Sequence, residues 1–269
     1  MSAVGKPKIV LLGQKDPTKD VELATDEGPF ESWLAVAQDM WGQGNLTPFD
    51  SIFASRAIGT IVPTQGGNFA TLCYQLGNRL FTFSREAGIW IDAFEAESTL
   101  SKLEKRPKDK VKLATWSLGK NQLGKNRLTH LAILAPSRLE GSPEAIIKEA
   151  AQGMKKDAQF FYADLLYGPH GHAIKGRPHL ARPEDVKYWM ECAGLKFYSE
   201  IDITGDVRVA LLRGLHNSLN MLANIRKLQE PWRTQRFKAF EKELEETVRL
   251  HMALERHETV AMGFYYTKP

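Results

Sequence analysis

The stretch that decides the fold is Gly66-Gly67-Asn68-Phe69-Ala70-Thr71-Leu72-Cys73-Tyr74-Gln75-Leu76-Gly77-Asn78-Arg79-Leu80, continued through 81–87 to Gly88-Ile89-Trp90-Ile91-Asp92-Ala93-Phe94-Glu95-Ala96-Glu97. It reads as strand, tight turn, helix and second strand, with an acid where the second strand ends. A short apolar strand that feeds a helix through a glycine turn aims backbone N–H groups at a ligand, and a carboxylate closing the next strand can hold ribose hydroxyls. Only the second half of that nucleotide-type device is intact. Where close approach of a ligand asks for glycine, the chain has Cys73, Tyr74 and Gln75, and only Gly77 is left.

Outward from this stretch, helical and strand patterns alternate. Towards the N-terminus, Phe30, Trp33, Leu34, Ala37 and Trp41 fall near one face of a helix that the glycines after Trp41 stop. Thr47 and Pro48 then read as N-cap and first helical residue of a helix reaching about Ile61. Lys8-Ile9-Val10-Leu11-Leu12-Gly13 lacks a second glycine at the spacing a dinucleotide fingerprint needs, so residues 1–28 read as an arm.

Towards the C-terminus, strands are expected at Val111–Trp116, Leu128–Leu134, Ala158–Leu166, Leu195–Thr204 and His257–Thr267. Helices are expected at Pro143–Lys156, capped by Ser142, and at Pro183–Ala193. Two long helices follow at Val207–Leu228 and Thr234–Arg256. The second carries Phe237, Phe240, Leu244 and Val248 on one face. Continuous apolar strands between helices predict a parallel sheet covered on both faces. The fold expected is α/β: a seven-stranded, mostly parallel Rossmann-like sheet with N-terminal helices and a two-helix insertion, about 207–256, before the last strand. Residues 29–269 form one domain in this reading.

Composition narrows the function. The chain has 269 residues, 43% of them hydrophobic, with a net charge of +4 and two cysteines. No run approaches the roughly 20 apolar residues of a membrane helix, and no signal-peptide pattern opens the chain, so a soluble, cytoplasmic protein is expected. Cys73 and Cys192 are too few for a disulfide framework or a cysteine zinc site and read as buried thiols. Lysines and arginines crowd 101–128 against only Glu104 and Asp109. The block reads as a solvated helix end and loop or as a docking face for something acidic, and its lack of interleaved aromatics and of a recognised motif argues against nucleic acid. No Gly-x-Ser-x-Gly elbow is present, so hydrolase chemistry is not expected.

Three further stretches carry a resemblance: Met40-Trp41-Gly42-Gln43-Gly44-Asn45-Leu46-Thr47-Pro48, Glu191-Cys192-Ala193-Gly194-Leu195, and the tail Met262-Gly263-Phe264-Tyr265-Tyr266-Thr267-Lys268-Pro269. In order and spacing the chain resembles the class I S-adenosylmethionine-dependent methyltransferases, in particular the cyclopropane-synthase and sarcosine-type small-molecule groups. The resemblance implies S-adenosylmethionine as cofactor wherever the site works. It also implies cofactor contacts at Trp41, Gly42, Gly44, Thr71, Tyr74, Gln75, Gly77 and Glu95. Glu95 takes the place of the ribose-binding acid. Thr71 stands where the family has an acid near the methionine end, and Cys73 and Tyr74-Gln75 stand where it has two glycines.

Strands three and four likewise lack acids that the family often has. Asp164 closes strand five, and His130 reads as a structural histidine. Tyr167, His170 and His172 lie on the loop after strand five, at the sheet's carboxyl end, and with Asp164 they are candidate substrate or partner contacts. His170, His172 and His179 do not make the firm ligand set that zinc requires, so no metal is expected.

Two functions stay open at this point. One is a pseudoenzyme with a degenerate cofactor site, acting as a binding or regulatory subunit beside itself or an active methyltransferase homologue. The other is an active methyltransferase for a small or lipid-like acceptor, using a modified cofactor turn. A pocket retuned for another small ligand is a third idea.

Overall fold

The computed structural model describes residues 29–42, 45–61, 67–73, 84–96, 110–171 and 180–269. Among these, α1 spans Pro29–Trp41 and α2 Asp50–Thr60. The strands β1 Asn68–Leu72, β2 Trp90–Glu95, β3 Val111–Thr115 and β4 Leu128–Leu134 follow. Then come α3 Pro143–Gln152, β5 Met154–Tyr167, α4 Pro183–Cys192 and β6 Lys196–Asp202. The chain closes with α5 Thr204–Ile225, α6 Trp232–Glu255 and β7 Thr259–Thr267. Helical residues 84–87 precede β2. The expected arm, 1–28, and much of the glycine turn lie outside the described residues.

The strands form one seven-stranded sheet in the order β3-β2-β1-β4-β5-β7-β6. β1 to β5 run parallel, and β7 inserts antiparallel between β5 and β6. The order reverses between β1 and β4, so the crevice where ligands bind in open α/β sheets lies at the carboxyl ends of those two strands.

Period-two alternation sorts the side chains. Phe69, Ile91, Leu113 and Ala132 face one layer with Phe53 of α2, Val207 and Leu211 of α5 and Leu254 of α6. Ala70, Leu72, Phe94 and Leu131 face the other with Ile146 and Ile147 of α3 and Val186 and Met190 of α4. A smaller core joins α1, α5 and α6 through Val36, Met40, Met221, Ile225 and Phe240.

Five local expectations are corrected. The second helix begins at Asp50 and not at Pro48, because the Asp50 carboxylate takes the Leu46 N–H at 2.6 Å, the Thr47 N–H at 3.1 Å and the Thr47 hydroxyl, locking 46–49 as a turn. α3 stops at Gln152, ahead of Gly153, and β5 begins at Met154, so Lys155 and Lys156 belong to a strand. The Ser142 cap is as expected, with its hydroxyl accepting from Ala145 N at 3.2 Å. Cys192 is exposed and not buried, since α4 turns that face to solvent. On α1 the fully buried positions are Ser32, Val36, Ala37 and Met40, with Trp33, Leu34 and Trp41 only partly covered.

The largest correction concerns α6, where Phe237 and Val248 are exposed and the buried stripe is Phe240, Glu243, Thr247, Leu250 and Leu254. A glutamate can sit in this seam because two indoles reach it. Trp41 Nε1 donates to Glu243 Oε1 at 2.8 Å and Trp33 Nε1 to Oε2 at 3.1 Å. Burial raises the Glu243 pKa, and the two indole bonds oppose the rise. Changing Glu243 to alanine strands both indole donors, so a loss of about 3 kcal/mol is expected. Denaturant titration against the parent measures it, and the change in denaturation midpoint should come without a change in slope.

Candidate functional site

At the carboxyl end of β1 a residue other than glycine holds a backbone conformation that favours glycine. Cys73 adopts φ +60°, the left-handed region that L side chains rarely enter, and its N–H donates to Phe94 O at 2.8 Å. The side chain is fully buried and joins the core of Ala70, Leu72, Phe94, Trp116 and Tyr162. Its sulfur is thus absorbed by the core under the turn. Tyr74, Gln75 and Gly77 lie outside the described residues, as do Gly44 and His172.

Thr71 and Glu95 share the opposite face of the sheet, on neighbouring parallel strands. Both are completely buried. Thr71 Oγ1 has no hydrogen-bond partner among the described residues. The Glu95 carboxylate accepts from Ala96 N at 3.3 Å, while its backbone oxygen takes the Trp116 N–H at 2.9 Å. Glu95 is therefore sealed, whereas Asp92, three residues earlier on β2, is half-buried in an ion pair with Arg127.

On the far face, β5 places Tyr162 and Asp164 two residues apart and so on one side. The Tyr162 hydroxyl donates to Asp164 Oδ2 at 3.1 Å, and Leu165 N donates to Oδ1 at 2.9 Å. Burial raises the Asp164 pKa to about 7, against the lowering pull of those two bonds. Burial, then the Asp164 charge and its hydrogen bond, then the adjoining Cys73 thiol push the Tyr162 phenol well above its ordinary range. Trp116 stands edge-on to Phe94 with ring centroids 5.8 Å apart, and its buried Nε1 has no partner among the described residues. Cys73, Phe94, Trp116, Tyr162 and Asp164 thus gather at the carboxyl ends of β1, β2, β3 and β5. Tyr162 and Trp116 were not singled out in the sequence; the i, i+2 spacing of Tyr162 to Asp164 was the available signal.

The other candidates sit elsewhere. The Trp41 ring lies against Gly214 of α5 and is tied to Glu243, and Gly42 closes α1 at φ +88° with its N–H on Gln38 O at 3.0 Å. Tyr167 is half-buried, and His170 is exposed with its ring 6.3 Å from that of His257. That loop is sewn to the start of β7 by Gly168 N to Glu258 O at 2.9 Å and His170 N to His257 O at 3.2 Å. A Cβ at Gly168 would come within 2.2 Å of His257 O, so the seam requires glycine. His130 is buried, with Nδ1 2.8 Å from the Thr129 hydroxyl and its ring edge-on to Phe69. Among the described residues no three His, Cys, Asp or Glu side chains come together as a metal site, and no helix is long and apolar enough to cross a membrane.

No protein-family model matches the sequence, and no curated protein does. Solved structures do match in fold. Phosphoethanolamine N-methyltransferase 2 of Haemonchus contortus, solved with phosphomonomethylethanolamine and S-adenosylhomocysteine, aligns over 90% of this chain and 57% of its own, at TM-score 0.72 and 11% identity. The chain therefore spans little more than half of that protein. A candidate sarcosine dimethylglycine methyltransferase from Galdieria sulphuraria aligns over 88% of this chain and 98% of its own, at TM-score 0.64 and 11% identity. The [4+2]-cyclase SpnF aligns over 82% and 81%, at TM-score 0.63 and 12% identity. The class I methyltransferase fold is established by these likenesses together with the strand order.

Proposed function

We propose that this chain, a class I methyltransferase in fold, is a non-catalytic binding or regulatory subunit whose S-adenosylmethionine site is degenerate, and that it works in the cytoplasm. The observation that carries the reading is Thr71: at the position which the resemblance gives to an acid, the chain has a neutral, fully buried hydroxyl without a partner among the described residues. A methionine ammonium brought there gains no counter-charge. A hydrogen bond to a charged group contributes about 1.5–3 kcal/mol, so losing it weakens binding by roughly tenfold to a hundredfold. Glu95 holds the ribose-acid position but is sealed at 0% exposure, so a ribose must first displace what covers it.

The residues therefore fit S-adenosylmethionine in part. The left-handed turn at Cys73 and the Glu95 carboxylate suit a nucleoside, whereas Thr71 does not suit its amino-acid tail. A fold of this class does not by itself fix the reaction. The Cys73 turn favours a second reading, an active methyltransferase for a small or lipid-like acceptor. Such a displacement depends mainly on alignment of the methyl group and its acceptor in a dry pocket.

Calorimetry with S-adenosylmethionine and S-adenosylhomocysteine separates the two. Under the first reading neither binds at micromolar concentration, and Thr71→Asp does not by itself confer methyl transfer. Micromolar binding of both, with turnover on any acceptor amine or lipid, establishes the second.

A further inference from the structure

We propose that the amino end of the sheet is a docking surface for a bilayer leaflet rich in anionic lipid, on which the chain lies with its ligand crevice turned away. This surface is independent of the cofactor site, since it lies at the opposite end of every parallel strand. Lys110 leads into β3 and Trp90 opens β2, where Ile91 N bonds Lys110 O at 2.9 Å. Lys125 and Arg127 precede β4. At the start of β5 the pairing moves from Leu128 opposite Met154 to His130 opposite Gln159, so Lys155, Lys156 and Asp157 are extra to the β4 ladder and bulge at this end. Lys268 follows β7, its carbonyl taking the Asp157 N–H at 2.7 Å, and Lys196 opens β6 opposite Thr267.

The row crosses the whole sheet, and its six inter-strand gaps span about 29 Å. Every cation in it but one is a lysine, and all but Lys268 are exposed. None of these lysines is in an ion pair among the described residues; Arg127 is, with Asp92. Against them the strands bring only Asp92 and Asp157 to this end, while Glu86 before β2 is offset by Arg85 and Glu191 closes α4. The surplus that remains matches the net charge of the whole chain, +4. Part of the basic block that the sequence crowds into 101–128 finds its place here.

Unpaired lysines in a row suit a charged plane better than a shaped partner. An ammonium is a hydrated point charge that attracts a layer of anionic headgroups without set geometry, whereas arginine is the side chain that grips phosphates and carboxylates in pairs. Lysine is also depleted in protein interfaces. Aromatic residues stand near both ends of the row: Trp90, 60% exposed, on β2, and Phe197 and Tyr198, 42% and 70% exposed, next to Lys196. Amphipathic rings settle at the headgroup level of a bilayer. For a nucleic-acid strand they are misplaced, since stacking needs aromatic rings along the same groove as the cations.

The orientation follows from the topology. β1 to β5 run from this end towards the crevice, so a docked chain points the Cys73 turn away from the lipid, and a ligand or partner of that crevice arrives from the aqueous side.

Flotation of the full chain with phosphatidylcholine vesicles, plain or carrying about 30% phosphatidylserine, tests this. The chain should bind only the anionic vesicles and should leave them in 1 M salt, where the Debye length falls from about 8 Å to about 3 Å. Lys155→Gln with Lys156→Gln should weaken binding about 25-fold, because each lysine beside such a surface is worth about fivefold. Lys227→Gln with Lys238→Gln removes the same charge from exposed sites at the α5–α6 hairpin and should leave binding unchanged. Circular dichroism checks that both variants keep the parent fold. Equal binding to plain vesicles, or no binding to either kind, overturns the assignment. So does binding that Lys155→Gln with Lys156→Gln leaves unaltered, or that the hairpin variant weakens as much, which would make it a matter of net charge alone. Displacement from the vesicles by an RNA duplex or polyglutamate at matched charge also overturns it, and gives the surface to that class of partner.

Discussion

Replacing Asp164 with asparagine should flatten the pH dependence of stability between about 4 and 7 and raise the melting temperature above neutrality. In the unfolded chain this carboxyl ionises near 3.8; in the folded chain it holds its proton to about 7. Between those values the folded state binds the extra proton, so stability falls as pH rises through the window and levels off above it. The interval corresponds to about 4 kcal/mol by the usual conversion. Asparagine removes the ionisation while keeping both local bonds: Leu165 N can still donate to the side-chain oxygen, and the Tyr162 hydroxyl can turn from donor to acceptor. A net gain of about 2 kcal/mol is expected on the alkaline side after imperfect repacking. Thermal melts of both proteins at acid and alkaline pH measure it. Parallel curves would mean that Asp164 ionises like a surface acid, and the carboxyl-end cluster with Cys73 and Tyr162 would lose its charge argument.

Changing Gly214 to alanine should cost about 4 kcal/mol, or roughly 10 °C in melting temperature. A Cβ built there meets Trp41 Cζ3 at 2.0 Å, Cη2 at 2.6 Å and Cε3 at 2.8 Å. The indole cannot swing aside freely, because its N–H is held at 2.8 Å by Glu243, itself in the α6 seam. Overpacking and the loss of a hydrogen bond to a carboxylate therefore act together. Trp41→Leu in the Gly214→Ala background relieves the clash, and a double-mutant cycle should show strong coupling between the two sites. Additive effects would show that α1 docks without this contact. The result also bears on the cofactor expectation at Trp41, since a ring locked between α5 and α6 contributes packing before anything else.

How far the sequence led can be judged residue by residue. The stretch from Gly66 to Glu97 placed two strands and the acid that closes the second, because apolar alternation and glycine punctuation are local signals. β4 was delimited correctly at Leu128–Leu134, and Ser142 was recognised as a cap, for the same reason. Local reasoning failed where a distant partner changed the meaning of a residue. Glu243 looked like the wet side of α6, yet two tryptophans more than 200 positions away in sequence draw it into a core. Thr47 looked like a helix cap until the Asp50 carboxylate claimed it for the preceding turn. Cys192 looked buried because free thiols usually are, and α4 happens to present that face to water.

The candidate site divides in the same way. That Thr71 and Cys73 fall where the resemblance implies an acid and a glycine follows from residue identity. Their physical consequence was not: the backbone keeps a glycine's conformation at Cys73 and hides the sulfur in the core, so the steric objection expected at this position is met by packing. The Tyr162–Asp164 pair likewise becomes an acid–phenol unit only because β7 and the helices of the far layer cover β5 and exclude water.

By itself the sequence determined the layered α/β architecture, the bounds of most elements and the neutral residue at position 71, since periodicity, punctuation and residue identity need no third dimension. The tertiary structure alone decided the strand order, the insertion of β7 that leaves β6 at the edge, the burial of Glu95 and Glu243, and the raised pKa of Asp164. Those depend on which surfaces meet, and hence on how much water each charge can keep.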